Sequence, residues 1–236
     1  MNTNKFGVAC SLRALVGAAL LGLAAGAAHA TAVVEAGDAG QSLGGAQVTA
    51  GSAAINTFSG TLLTTSGSDY ADLFRIYLSA GSTFSATTTA SAWSVNNFDT
   101  SLFLFDSTGH GVVANDDDPA VGPTSTISSS VSTSGFYYLA IAGAGYTPVS
   151  AGGSIFGSLV GANQVFATGP GGSGALSGWQ SVTSDGDSYE IVMQGAYAGV
   201  VSSVPEPEPA LMLLGGLGAL GLAARRRRRL AAQAAA

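Results

Sequence analysis

Cysteine and basic side chains are nearly absent from the central part of this 236-residue chain. The single cysteine, Cys10, lies close to the N-terminus, so residues 31–204 form no disulfide and offer no thiolate for catalysis or metal binding. Arg75 is the only Lys or Arg in that segment, against twelve Asp and Glu residues, which gives a formal charge of −11. We therefore predict no nucleic-acid partner, because binding nucleic acid requires Lys and Arg to displace phosphate counterions.

Recognisable catalytic motifs are also missing. His110 is the only histidine of the segment and lies between two glycines in a predicted turn. At such a position we expect an exposed side chain without a catalytic role. No serine has the G-x-S-x-G setting of a hydrolase nucleophile, and no phosphate loop or metalloprotease helix motif occurs. We predict that the protein is not an enzyme, and that Arg75 pairs with a carboxylate. A secreted hydrolase with His110 as its base is the less favoured alternative.

Residues 1–30 have the three regions of a secretory signal peptide. Lys5 and Arg13 give a basic start, Leu15 to Ala28 is apolar, and Ala28 and Ala30 place small residues at the −3 and −1 positions of a cleavage site. The pattern predicts export and removal of this segment by signal peptidase. An uncleaved N-terminal anchor is the alternative.

The C-terminal tail has three ordered features. Pro205, Glu206 and Pro207 begin an extended Pro-Glu repeat, residues 210–224 are apolar, and residues 225–229 are five arginines. A helix over 210–224 would be about 22 Å long at ~1.5 Å per residue, a short transmembrane span. The arginines favour the cytoplasmic side, which places the rest of the chain on the periplasmic side of the inner membrane.

This tail, residues 204–229, resembles the PEP-CTERM sorting signal. The resemblance implies recognition by exosortase and cleavage near Pro205-Glu206-Pro207 or the overlapping repeat at residues 207–209. It also implies a Gram-negative source, association with exopolysaccharide production, and a final location at the cell surface or in the extracellular matrix. A simple tail anchor without processing is the alternative.

Between these ends the sequence predicts an all-β fold. After a loose lead-in at residues 31–53, in which one strand is expected near residues 46–50, Thr, Val, Ile, Phe and Tyr recur in short runs separated by Gly, Ser, Asn and Asp. Predicted strands cover residues 55–63, 72–78, 83–89, 101–105, 111–114, 126–131, 135–142 and 188–194. They favour an antiparallel β-sandwich over residues 54–200. Residues 143–180 are Gly-rich and predict a long surface insertion whose end is fixed by Trp179.

Four strings in this region resemble the bacterial pre-peptidase C-terminal (PPC) domain. They are residues 72–81, residues 98–106, residues 115–118 and residues 135–141, which occur in that order between about residues 55 and 145. The resemblance implies a small jelly-roll-like β-sandwich of the kind appended to secreted proteins, several of which bind calcium. No peptidase domain precedes the module in this chain.

Asp99, Asn115, Asp116 and Asp117 are the candidate calcium ligands. A hairpin around residues 107–110 would bring the loop at 115–118 back towards Asp99, and calcium takes six to eight oxygen ligands of these types. A plain solvated acidic turn explains the same residues equally well. The predicted function is an exported structural protein of the envelope or matrix, processed by exosortase and associated with exopolysaccharide.

A carbohydrate-binding, lectin-like module is the second interpretation. It would require an aromatic surface on which sugars stack, whereas aromatic residues of a sandwich more often belong to its core. The candidates are Tyr70, Trp93, Tyr137, Tyr138 and Trp179.

Overall fold

The computed structural model describes residues 30–62, 69–90, 99–118, 122–159, 163–181 and 186–199, together with the single residues Arg225 and Gln233. This part of the chain forms fourteen strands: β1 (Thr31–Val34), β2 (Gln47–Val48), β3 (Ala54–Thr61), β4 (Ala71–Leu78), β5 (Thr83–Ala90), β6 (Thr100–Phe105), β7 (Gly111–Asn115), β8 (Thr126–Ser130), β9 (Gly135–Gly143), β10 (Tyr146–Ser150), β11 (Gly153–Ser154), β12 (Val165–Phe166), β13 (Gly178–Ser181) and β14 (Ser188–Tyr197). The predicted all-β class is confirmed, and the eight strands predicted for the sandwich are β3 to β9 and β14.

Eleven strands form one continuous, folded sheet in the order β1-β3-β14-β4-β9-β6-β7-β12, with β2 beside β4, and with β5 beside β14 and β8. We call β1, β3, β14, β5 and β8 the front layer, and β2, β4, β9, β6, β7 and β12 the back layer. The end of β14 joins the layers, because Ala196 and Tyr197 pair with both β3 and β4. Most pairs are antiparallel, but β1 runs parallel to β3 and β2 runs parallel to β4.

The main hydrophobic core lies between the two layers. Alternation along β4 turns Phe74, Ile76 and Leu78 towards this core and Leu73 to the opposite face, as the period of two predicts. Phe58 of β3 stacks on Phe74 with ring centres 4.1 Å apart. These contacts join the front and back layers and explain why the strands fold as a sandwich.

A second hydrophobic cluster covers part of the outer face of the back layer. It combines Leu73, Phe103, Phe105 and small side chains of β9 with Ile155 and Phe156 of the Gly-rich insertion. β6 is consequently buried on both faces, as its continuous apolar sequence predicts. The insertion also contains a three-stranded sheet, ordered β11-β10-β13. It therefore has a packed interior against the sandwich, which its low content of large apolar residues did not suggest.

Trp179 on β13 fixes one end of the insertion. Its indole meets the Phe103 ring edge-to-face, with centres 5.4 Å apart. Its Nε1 donates a 2.8 Å hydrogen bond to the carbonyl of Gln41 in the lead-in. One side chain thus joins the insertion, the back layer and the N-terminal segment.

The described part of the chain has no helix whose length and apolarity suit a membrane crossing. The predicted transmembrane helix at residues 210–224 lies outside the described residues. Ala28 and the sorting residues Pro205, Glu206 and Pro207 also lie outside them. Ala30 is described and exposed, immediately before β1.

Candidate functional site

The predicted calcium ligands lie at one end of the β6–β7 pair. Asp99 immediately precedes β6, and Asn115 ends β7, where it is opposite Leu102. The Ser101 hydroxyl donates to a carboxylate oxygen of Asp116, which confirms that the hairpin brings the two ends together. Burial is the main effect that raises the pKa of Asp116, and the nearby charge of Asp117 raises it further.

Asn115 has a structural position in this loop. Its amide nitrogen donates to the carbonyl of Asp117 at 3.0 Å, and its oxygen accepts from the backbone N–H of Thr126 at 2.8 Å. Asn115 is 2% exposed, and its first bond lies within the loop whereas the second holds the loop to β8. The geometry joins Asp116 to β6 and Asn115 to β8, but it does not bring the predicted carboxylates into one close group, as judged on the described residues.

The turn between β6 and β7 contains His110. One carboxylate oxygen of Asp106 accepts from the backbone N–H of Thr108 at 2.8 Å, from its hydroxyl at 2.7 Å, and from the N–H of His110 at 3.0 Å. The imidazole Nδ1 lies 2.7 Å from the Thr108 hydroxyl. These are the hydrogen bonds of a tight turn, in which the aspartate orders the backbone.

A different group of carboxylates comes together between the lead-in and the sandwich. Oxygens of Glu35, Asp38 and Asp72 all lie within 4.8 Å of one another. Glu35 directly follows β1 and accepts from the backbone N–H groups of Thr61 at 2.9 Å and Ala39 at 3.1 Å. Asp72 is the second residue of β4. We call Glu35, Asp38 and Asp72 the acidic triad.

Asp72 is the buried member of the acidic triad, with 0% of its surface exposed. Its Oδ2 accepts a 2.6 Å hydrogen bond from the Tyr189 hydroxyl, whereas its Oδ1 is buried without a hydrogen-bond partner. Burial is the main effect that raises the pKa of Asp72 to about 8, and the negative charges of Glu35, Asp69 and Asp38 add to it. Burial also raises the pKa of Glu35 and of Tyr189.

The donor set of the acidic triad suits a hard divalent cation. All three side chains offer carboxylate oxygens, which are the ligands of Ca²⁺ and Mg²⁺, and neither a thiolate nor an imidazole is present to favour zinc. The unsatisfied Oδ1 of Asp72 is an oxygen that a cation would bind. Sequence patterns did not reveal this group, because Asp72 lies more than thirty residues beyond Asp38 and the lead-in looked loose.

The remaining candidates have separate positions. Arg75 was predicted to pair with a carboxylate, but it forms no ion pair with any described residue, and its guanidinium lies over the Phe136 ring, 4.5 Å from the centre. Tyr70 stacks on Tyr146, and Tyr137 packs against the main core. Trp93 lies outside the described residues.

Comparison with known families identifies the tail and not the body. No curated protein matched the chain. The PEP-CTERM protein-sorting motif matches residues 203–229, which contain the Pro-Glu repeat, the apolar stretch and the five arginines. The chain therefore carries a PEP-CTERM sorting motif, the recognition signal for exosortase, and is an exported protein processed at the membrane of a Gram-negative bacterium.

Proposed function

We propose that this protein is a non-enzymatic component of the cell envelope or extracellular matrix, associated with exopolysaccharide, whose β-sandwich is stabilised by calcium at the acidic triad. The proposal of a bound cation rests on the carboxylate of Asp72. This carboxylate is fully buried beside two further carboxylates, and one of its oxygens has no hydrogen-bond partner. The PEP-CTERM motif supports the location.

A bound cation would compensate the negative charge of the acidic triad. A buried carboxylate is stable only if a positive charge or a proton neutralises it. Arg75, the only Lys or Arg of residues 31–204, contacts Phe136 and forms no ion pair with a described residue. At neutral pH the alternative is a proton on Asp72, which costs free energy because the unfolded chain holds this group ionised. Calcium removes that cost and uses the free Oδ1.

The cation would join two parts of the fold. Glu35 and Asp38 belong to the segment that follows β1, whereas Asp72 belongs to the back layer. Backbone carbonyls and water would complete the six to eight oxygens that calcium takes. Binding would therefore hold the N-terminal segment on the sandwich and stabilise the folded state alone.

The predicted ends of the chain complete the proposal. We infer that signal peptidase cuts after Ala30, that residues 210–224 hold the protein in the inner membrane, and that exosortase acts near Pro205-Glu206-Pro207. The resemblance of the body to a jelly-roll-like PPC domain favours a binding or structural role.

Calcium titration of the full chain in detergent, with melting curves in calcium and in EDTA, tests the proposal. A ligand that binds only the folded state at one hundred times its Kd adds about 2.7 kcal/mol to the free energy of unfolding. We expect saturable binding and a higher Tm in calcium, both lost in Glu35→Gln and both retained in Asp116→Asn. Equal melting in millimolar calcium and in EDTA would refute the stabilising role.

A further inference from the structure

The Gly-rich insertion covers only half of the outer face of the back layer. In β9, Leu139 to Gly143 are buried, whereas Gly135 to Tyr138 are half-exposed. In β4 the change is similar, because the outward-facing residues after Leu73 are half-exposed. The uncovered half carries Arg75, Tyr77, Phe136 and Tyr138, which we call the arginine–aromatic patch.

Strand register fixes the geometry of the arginine–aromatic patch. Arg75 is opposite Tyr138, and Tyr77 is opposite Phe136. The rings of Tyr77 and Phe136 meet edge-to-face with centres 5.6 Å apart, and the Arg75 guanidinium lies 4.5 Å from the Phe136 centre. The four side chains therefore form a surface held by two adjacent strands, with little conformational freedom to lose on binding.

Arg75 is the feature that indicates a ligand. Twelve acidic residues accompany it between residues 31 and 204, yet its guanidinium makes no ion pair and no hydrogen bond with any described residue. Its Nε is buried and has no hydrogen-bond partner, so a ligand from solvent could reach only the two terminal nitrogens. A guanidinium stacked on a ring keeps its N–H donors in the ring-parallel plane, where they are suited to a carboxylate.

We propose that the arginine–aromatic patch binds a carboxylated sugar unit of an acidic polysaccharide. Arg75 binds the sugar carboxylate with paired hydrogen bonds, and the rings of Phe136 and Tyr77 contact the apolar face of the sugar ring. This inference rests on the proposed association with exopolysaccharide, and it is independent of calcium at the acidic triad. It names the surface and the chemical class of the ligand.

The charge of the rest of the protein limits which acidic polysaccharides can bind to the arginine–aromatic patch. A formal charge of −11 over residues 31–204 repels densely charged polyanions, whose charges lie within a Debye length of about 10 Å at 0.1 M salt. One arginine compensates one carboxylate. The polymer that fits therefore carries carboxylated sugars separated by neutral ones.

Hyaluronan oligosaccharides, in which uronate and neutral sugars alternate, are a suitable probe, with the carboxyl-reduced oligosaccharide as the neutral counterpart. Calorimetric titration into the full chain in detergent is done in calcium and again in EDTA. We expect the uronate form to bind, with affinity reduced about tenfold or more by Arg75→Gln and by Phe136→Ala. Phe166→Ala is the matched control, because Phe166 is 61% exposed on the edge strand β12, away from the patch.

Each outcome decides a separate point. Loss of binding in Arg75→Gln and Phe136→Ala, with unchanged melting curves and normal binding by Phe166→Ala, supports the patch. Binding that neither substitution weakens refutes the patch but leaves the association with polysaccharide intact. Equal binding of the carboxyl-reduced sugar refutes the role of Arg75, and no binding of either sugar refutes the ligand class. None of these results alters the calcium test, which is measured by melting.

Discussion

Asp72→Asn should stabilise the protein strongly in EDTA, and calcium should reduce this effect by the whole of its own contribution to stability. The substitution keeps the shape of the side chain and retains an oxygen to accept the hydrogen bond from Tyr189, but it removes the buried negative charge. In EDTA the asparagine relieves the cost of the unpaired carboxylate. In calcium it removes a ligand of the proposed site, so calcium stabilises the native chain but not the variant, and the difference between them becomes smaller.

The magnitude follows from the pKa of Asp72. Burial raises it from 3.8 to about 8, so without a cation the folded protein holds a proton at pH 7 that the unfolded chain has lost. At ~1.4 kcal/mol for each pH unit between the unfolded pKa and pH 7, the cost is about 4 kcal/mol. Asp72→Asn should recover up to that amount in EDTA. Calcium at one hundred times its Kd should stabilise the native chain alone by about 2.7 kcal/mol, which reduces the advantage of the variant from about 4 to about 1 kcal/mol.

The pH dependence of stability gives a second test of the role of Asp72. Because the folded pKa is raised, the cation-free protein should be most stable below pH 4 with respect to Asp72, and should lose stability as the pH rises from about 4 to about 8. Asp72→Asn should remove this slope.

Urea unfolding at pH 5, 7 and 8, in calcium and in EDTA, measures both effects through the midpoint at constant m-value. Equal destabilisation by Asp72→Asn in calcium and in EDTA, with the slope against pH unchanged, would refute the reasoning. Asp72 would then serve only as the hydrogen-bond acceptor of Tyr189.

Three further predictions concern other parts of the fold. Asp116→Asn should leave the increase of Tm in calcium unchanged, because Asp116 is held by Ser101 and lies outside the acidic triad; loss of the increase would return the cation to the sequence-predicted loop. Trp179→Ala should lower the free energy of unfolding by about 3 kcal/mol, since it removes the contact with Phe103 and the bond to Gln41; an effect below about 1 kcal/mol would show that the insertion is not fixed there. Gly195→Ala should lower the free energy of unfolding by more than about 2 kcal/mol, because φ is 78° and a Cβ would lie 2.4 Å from the Thr83 carbonyl oxygen. Gly81 has a similar φ of 79° but lies in open space, so Gly81→Ala should lower it by only about 1 kcal/mol. Thermal melts of the two variants measure the difference.

The strands could be predicted from the sequence because their alternation is local. Arg75 and Tyr77 fall on one face of β4, and Phe74 and Ile76 on the other, whatever the rest of the chain does. β1 has no such pattern, since its four residues are mostly exposed and it is held by pairing with β3. Its existence depends on a partner more than twenty residues away, which no local period encodes.

The candidate site was missed for a similar reason. Acidic residues that lie near one another along the chain predict a site in the loop at residues 115–118, where the oxygens instead hold the loop together and join it to β6. Asp72 reads as the polar start of an amphipathic strand. Its burial follows only when Glu35 and Tyr189 pack beside it, and these residues come from opposite ends of the sandwich sequence.

The two ends of the sandwich lie side by side, and this bears on export. Thr31, the first residue after the predicted cleavage site, pairs with Ile55, and Ile55 pairs on its other side with Ala196 near the end of the last strand. Neighbouring strands are about 4.8 Å apart, so Thr31 and Ala196 lie within roughly 10 Å of each other. The predicted signal peptide and the predicted transmembrane helix would therefore be attached at neighbouring positions of the sandwich, so folding would not have to wait for either cut. The acidic triad follows β1 directly, so calcium on the exported side would fix the N-terminal strand in place once the chain has crossed.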